Sequence, residues 1–223
     1  MRIKICGLMQ KEQAKAIALS GADALGFICV PDSPRYLEAS AIRTIVQELP
    51  AQTLQGKPLA TLGVFANAAL EDIVKSVKVA GLTGVQLHGQ ESPAFCQALR
   101  QALRHALPTV ELIKAFRVRS AETLQETAAY GDTVDGLLLD AYAHSALGGT
   151  GEAWDWSLVK NFQPELPWFL AGGLTPFNVR IALQQANPSG IDLSSGVERS
   201  PGDKDLTLVQ ALFQACRLEP RPS

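Results

Sequence analysis

Two stretches in the last third of the chain decide the fold: Trp168-Phe169-Leu170-Ala171-Gly172-Gly173-Leu174-Thr175-Pro176 and Gly190-Ile191-Asp192-Leu193-Ser194-Ser195-Gly196. Each is an apolar run of strand length that closes on a glycine-bearing turn. In the first, threonine and proline follow, a pair that caps a helix and fills its first position. The same grammar recurs upstream. β-rich runs lie at Arg2–Cys6, Ala24–Ile28, Ala60–Phe65, Gly84–Leu87, Val110–Phe116 and Gly136–Asp140, and the two opening stretches add Trp168–Ala171 and Gly190–Leu193. Helical spacing separates them. Ala14, Ile17 and Ala18 share one face and Gly21 stops it, while Leu206, Val209, Phe213 and Cys216 share a face near the C-terminus. Ser92-Pro93 and Thr175-Pro176 mark helix starts, and Asp155 and Asp205 are further capping residues.

Strands alternating with helices predict a parallel sheet. Eight units in 223 residues give about 28 residues each, which suits a (β/α)8 TIM barrel of about 250 residues. The expected organisation is one α/β barrel over residues 1–218 with a short tail at 219–223. A doubly wound open sheet is the alternative. It calls for Gly-x-Gly-x-x-Gly after the first strand, and Cys6-Gly7-Leu8-Met9-Gln10 does not supply it. Gln52–Pro58 reads as a surface insertion.

Hydrophobic residues make up 47% of the chain and the net charge is −2. No basic stripe points to nucleic acid, and no polybasic run points to an anionic membrane. The N-terminal apolar run is too short for a signal peptide, and no segment has the length of a membrane helix. The four cysteines form no Cys-x-x-Cys pair, and with three histidines nothing has metal spacing. A cytoplasmic protein with reduced thiols is expected.

In a barrel the active site lies at the C-terminal ends of the strands, and unusual residues gather there: Cys6, Arg35 within Ser33-Pro34-Arg35-Tyr36, Gln86 and His88, Asp140, Gly172-Gly173, and Asp192 through Glu198. Gly172, Gly173, Ser195 and Gly196 read as a phosphate cradle. Bare N–H groups converge well on a dianion, glycine lets the backbone approach, and loops seven and eight are the usual phosphate position in barrels. Cys6 and Asp140 allow two readings. As a base and an acid, Cys6 would have its pKa lowered by a following helix N-terminus, and Asp140 would be desolvated behind Leu137-Leu138-Leu139. As structural residues they would be a core cysteine and a capping aspartate. His88 likewise reads either as a pocket group or as a hydrogen-bonded wall residue. Lys114 on strand five is a further polar candidate without an assigned role. The segment 142–152, with three glycines directly after Asp140, has the length of a lid.

At these residues the sequence resembles the phosphoribosylanthranilate isomerase family of tryptophan biosynthesis. The matching stretches are Lys4-Ile5-Cys6-Gly7-Leu8, Gly26-Phe27-Ile28, Ser33-Pro34-Arg35-Tyr36, Gly63-Val64-Phe65 and Val85-Gln86-Leu87-His88-Gly89. They continue with Leu139-Asp140-Ala141, Gly148-Gly149-Thr150-Gly151, Asp155-Trp156, Leu170-Ala171-Gly172-Gly173-Leu174, Asp192-Leu193-Ser194-Ser195-Gly196-Val197-Glu198 and Ser200-Pro201-Gly202-Asp203-Lys204-Asp205. They span nearly the whole chain. The departures are Trp154, where the family usually has phenylalanine, and a longer Gln52–Leu59.

The resemblance implies an Amadori rearrangement of N-(5-phosphoribosyl)anthranilate to 1-(2-carboxyphenylamino)-1-deoxyribulose 5-phosphate. It implies Asp140 as the acid at the ring oxygen, Cys6 as the base at C2′, Arg35 on the anthranilate carboxylate and Asp192 on a sugar hydroxyl. Gln86 and His88 belong to the pocket in this reading. No cofactor or metal is implied, and the expected assembly is a monomer or homodimer. Other phosphosugar barrels, such as the Amadori isomerase of histidine biosynthesis or indole-glycerol-phosphate synthase, would be expected to carry carboxylate or lysine chemistry in place of Cys6. A Schiff-base aldolase would have to use Lys114. A barrel that binds a phosphosugar without turnover would not need both Cys6 and Asp140.

Overall fold

Eight short strands pair side by side in chain order and close on themselves: β1 (Arg2–Ile5), β2 (Ala24–Ile28), β3 (Ala60–Phe65), β4 (Gly84–Leu87), β5 (Glu111–Val118), β6 (Gly136–Ala141), β7 (Trp168–Ala171) and β8 (Gly190–Leu193). All the pairings around the ring are parallel, and β1 closes against β8 with Lys4 opposite Asp192. This computed structural model describes residues 1–141 and 156–217. The proposed lid at 142–152, the Asp155 cap, Trp154 and the tail at 219–223 lie outside the described residues.

The pleat divides the apolar residues into two cores. Ala24, Leu62, Ile113, Ala115, Leu138, Phe169 and Ala171 fill the barrel interior. Their neighbours in sequence, among them Leu25, Leu112, Leu139 and Leu170, point outward into a larger layer under the helices. Fully burying one such leucine or isoleucine contributes roughly 1.5–3 kcal/mol.

The helices are α1 (Lys11–Ser20), α2 (Ala39–Val46), α3 (Leu70–Ala80), α4 (Pro93–Ala106), α5 (Ala121–Glu126), α6 (Val179–Gln185) and α7 (Leu206–Arg217). α1 buries Gln13, Ala14, Ile17 and Ala18, and Gly21 ends it with φ 123°. Ser92 Oγ accepts from the Phe95 N–H at 3.2 Å and Pro93 takes the first position of α4, as the sequence predicts. Asp205 caps α7, accepting from Thr207 N–H at 2.8 Å. That helix buries Val209, Leu212 and Phe213, while Leu206 stays exposed, so the apolar face is offset from the expected one.

α6 starts later than Thr175-Pro176 predicts. Thr175 Oγ1 accepts from Phe177 N–H and Asn178 Oδ1 accepts from Thr175 N–H, which closes a turn before the helix begins. A two-stranded hairpin, β9 (Glu198–Ser200) and β10 (Asp203–Lys204), follows β8 at the mouth. Gln13 of α1 fastens it: its Nε2 donates to Asp203 at 2.7 Å and its Oε1 accepts from Lys204 N–H at 2.8 Å.

Candidate active site

Side chains two apart on a strand share a face. Lys4 and Cys6 therefore leave β1 on the inner side, and Gln86 and His88 do so at the end of β4. Lys4 is fully buried, and its Nζ donates to Asp192 Oδ2 at 2.8 Å. Gly26 of β2 makes room beside them: a Cβ there would stand 2.6 Å from Cys6 Sγ and 3.1 Å from Lys4 Nζ. Burial pulls the Lys4 ammonium down, but its attraction to Asp192 and Cys6 outweighs that and holds it charged. Burial pushes the Asp192 carboxyl up against the pull of Lys4.

Cys6 differs from the sequence expectation. Its pKa is raised, because burial disfavours the thiolate more than Lys4 and Lys204 favour it. The helix that was to lower it starts only at Lys11, and the field of a helix end falls off within a turn. The resting group is a neutral thiol.

Across the mouth, His88 Nε2 stands 3.2 Å from Asp140 Oδ2, and Gln86 Nε2 stands 3.1 Å from His88 Nδ1. With the Gln86 amide in this orientation Nδ1 accepts, so neutral His88 carries its proton on Nε2 and donates to Asp140. The Asp140 side chain is 29% exposed, so the leucines before it do not desolvate it as expected. Asp192 lies within electrostatic reach of Cys6, His88 and Asp140. The structure thus gathers five predicted residues, Cys6, Gln86, His88, Asp140 and Asp192, at one mouth.

Arg35 lies over the backbone of Gly7, where a Cβ would stand 2.6 Å from its Cδ, and Gly7 itself has φ 75°. Its Nε donates to both oxygens of Glu198, at 2.9 and 3.1 Å, and Nη2 donates to Oε2. Glu198 is nearly buried and also accepts from Lys204 Nζ at 2.7 Å and Gly202 N–H at 3.1 Å. Burial pushes the Glu198 carboxyl up, but the hydrogen bonds from Arg35 and Lys204 bring it down to about 2.

The glycine-bearing loops after β7 and β8 meet where Gly196 packs on Leu174 and Thr175. Gly172 and Gly173 take φ 87° and 61°, the left-handed region that glycine enters without strain. A Cβ at Gly196 would collide with the Leu174 carbonyl oxygen, so the two loops pack backbone on backbone. Ser195–Val197 forms a single 3-10 turn. Among the described residues, no hydrogen bond uses the N–H of Gly173, Ser195 or Gly196.

Lys114 is not part of this mouth. Its neighbours Ile113 and Ala115 face the barrel interior, so it faces outward. There it is buried on Glu91 at 3.2 Å and on the carbonyls of Gly89 and Ala115, each at 2.9 Å. Lys4, Glu198 and Lys204 received no role from the sequence. A signal for Lys4 was present: it is in phase with Cys6, which the sequence already placed at the barrel mouth. Among the described residues, no three His, Cys, Asp or Glu side chains cluster so as to hold a metal ion.

A closed (β/α)8 barrel with paired polar groups across its mouth, an arginine on one wall and two glycine-bearing loops packed together after β7 and β8 has the architecture of a TIM-barrel enzyme. Residues 3–215 match the family model described as N-(5′-phosphoribosyl)anthranilate (PRA) isomerase. The N-(5′-phosphoribosyl)anthranilate isomerase of Acaryochloris marina is 62% identical over 96% of this chain and 97% of its own length. A crystal structure of phosphoribosyl anthranilate isomerase from Thermotoga maritima superposes with TM-score 0.85 at 33% identity, covering 97% of this chain and 98% of the other. A phosphoribosyl anthranilate isomerase in complex with reduced 1-(o-carboxyphenylamino)-1-deoxyribulose 5-phosphate superposes with TM-score 0.82 at 32% identity, over 97% and 98%. The chain belongs to the N-(5′-phosphoribosyl)anthranilate isomerase family of tryptophan biosynthesis.

Proposed function

We propose that this chain converts N-(5-phosphoribosyl)anthranilate to 1-(2-carboxyphenylamino)-1-deoxyribulose 5-phosphate with Asp140 as general acid and Cys6 as general base. The observation that carries the reading is the ion pair of Asp192 with Lys4, two residues before Cys6, at the same mouth as the His88–Asp140 pair. Asp140 gives its proton to the ribose ring oxygen. The C1′–O bond breaks as the anthranilate nitrogen supplies its electron pair, leaving an iminium. Cys6, once its thiol proton has passed to solvent, takes the proton from C2′ as the thiolate; the C–H electron pair forms the enolamine double bond and the iminium π pair returns to nitrogen. The enolamine then loses its hydroxyl proton and gains one at C1′, giving the ketone. Each proton transfer contributes roughly 10²–10⁴-fold. No electrons leave the substrate, so the rearrangement calls for no redox cofactor.

The raised pKa of Cys6 assigns a task to Lys4 and Lys204, whose charges lower the cost of reaching the thiolate. Among the described residues Asp192 Oδ1 is buried without a hydrogen-bond partner, which suits an acceptor for a sugar hydroxyl. Gln86 and His88 orient Asp140. Arg35 holds the anthranilate carboxylate with its planar fork. The N–H groups of Gly172, Gly173, Ser195 and Gly196 hold the phosphate without a cationic side chain, because two converging loops of bare amides suffice.

The test is turnover itself. Purified protein is mixed with N-(5-phosphoribosyl)anthranilate, and loss of its fluorescence is followed. Conversion to the aminodeoxyribulose product is expected; binding without conversion would contradict the proposal.

A further inference from the structure

Arg35 has five N–H donors, and Glu198 uses only one edge of them. Both carboxylate oxygens lie on the Nε side, at 2.9 and 3.1 Å, with Nη2 closing the pair. That leaves the outer edge, Nη1 with the second hydrogen of Nη2, and this edge has the spacing that takes a second carboxylate side by side. Glu198 is itself tightly held. Lys204, fully buried, donates to it at 2.7 Å and to the Ser194 carbonyl at 3.2 Å, and Gly202 N–H donates at 3.1 Å. The hairpin that carries Glu198 and Lys204 is pinned to α1 through Gln13. The aliphatic stem of Arg35 rests on Gly7, next to Cys6. The guanidinium is therefore fixed at both ends, by backbone under its stem and by a braced carboxylate on its inner edge.

We infer that Glu198, braced by Lys204, is a positioning residue for substrate recognition, turning the outer edge of Arg35 to the aryl carboxylate. The inference rests on the proposed role of Arg35. The opposite arrangement is equally definite: a Glu198 that occupies the arginine as a rival carboxylate and must be displaced. The geometry favours positioning, because the rival would have to leave Lys204 and Gly202 as well as Arg35. The two differ in sign. Without a rival, binding improves; without a positioner, it weakens.

The experiment compares wild type with Glu198→Gln, Arg35→Lys and the double variant. Three quantities are read: kcat and KM for N-(5-phosphoribosyl)anthranilate, inhibition by reduced 1-(o-carboxyphenylamino)-1-deoxyribulose 5-phosphate, and inhibition by inorganic phosphate. Glutamine keeps the shape of Glu198 but cannot accept from both Arg35 and Lys204 with full charge. We expect KM and the inhibition constant of the aryl-carboxylate ligand to rise about 10- to 100-fold, the scale of one charge-assisted hydrogen bond. We expect kcat to change less than threefold and phosphate inhibition to stay the same. The double variant is expected to match Arg35→Lys alone, because Glu198 acts through the arginine. Unchanged phosphate inhibition also certifies that the variant is folded. A lower KM in Glu198→Gln, or effects that multiply in the double variant, would overturn the inference. If Arg35→Lys itself leaves KM unchanged, the Arg35 assignment fails first, and that outcome is distinct from a failure of Glu198 alone.

Discussion

Gly196→Ala adds one methyl group where the loops after β7 and β8 meet. The new Cβ would collide with the Leu174 carbonyl oxygen and press on Thr175 Cα at 3.3 Å. Both obstacles are backbone, so no side chain can swing aside and the two loops must separate. Overpacking of this kind costs about 1–3 kcal/mol of stability. The functional cost is larger. If separation takes the Ser195 and Gly196 N–H groups out of reach of phosphate, two charge-assisted hydrogen bonds at about 1.5–3 kcal/mol each are lost. That amounts to roughly 10²- to 10⁴-fold in affinity. Gly173→Ala provides the control. Its φ of 61° strains a side chain, yet a Cβ there meets nothing within 4 Å, so a smaller loss is expected. The assay is competitive inhibition by inorganic phosphate beside KM for substrate, with thermal unfolding to check the fold. A folded Gly196→Ala protein with wild-type phosphate inhibition would refute the placement of phosphate on these two loops.

Three further outcomes follow from the charges at the mouth. Lys4→Met leaves buried Asp192 without its cation. Urea unfolding is expected to show a loss of about 3–5 kcal/mol, as for other broken buried pairs, and a loss under 1 kcal/mol would show that the pair is not desolvated. The same variant removes the strongest pull on the Cys6 thiol, so its thiolate absorbance is expected to appear at higher pH than in wild type; a lower midpoint would reverse the argument. Glu198 titrates at about 2 when folded, below its ordinary 4.5. A depressed folded pKa gives stability that is complete above about pH 4.5 and fades as pH falls toward 2. The stability difference between wild type and Glu198→Gln should therefore shrink across that window, and a constant difference would refute the clamp.

The strands were legible because each is a run of apolar residues bounded by turn residues. Five of the eight expected ranges coincide with the observed ones; β1 and β6 differ by one residue at their C-terminal ends, and β5 by one residue at its start and two at its end. Their position at the C-terminal ends of the predicted strands placed Cys6, His88, Asp140 and Asp192 at the mouth. What could not be read depends on distances between loops. The bond from Arg35 to Glu198 spans 163 positions in sequence, and nothing local in either motif announces it. The raised pKa of Cys6 depends on how deeply the barrel buries it and on where α1 begins, four residues after Gly7. Lys114 looked like a site residue because its chemistry suited one, but strand phase turned it to the helix side, where Glu91 and backbone carbonyls satisfy it.

The most direct test of the account is kcat for Cys6→Ser and Asp140→Asn, measured at saturating N-(5-phosphoribosyl)anthranilate by loss of its fluorescence. Each variant keeps shape and removes only a proton-transfer group, so kcat is expected to fall by roughly 10²–10⁴-fold while KM stays within about tenfold, the signature of an interaction made only in the transition state. Near-normal kcat in either variant would contradict the assignment of that residue and, with it, the acid/base mechanism.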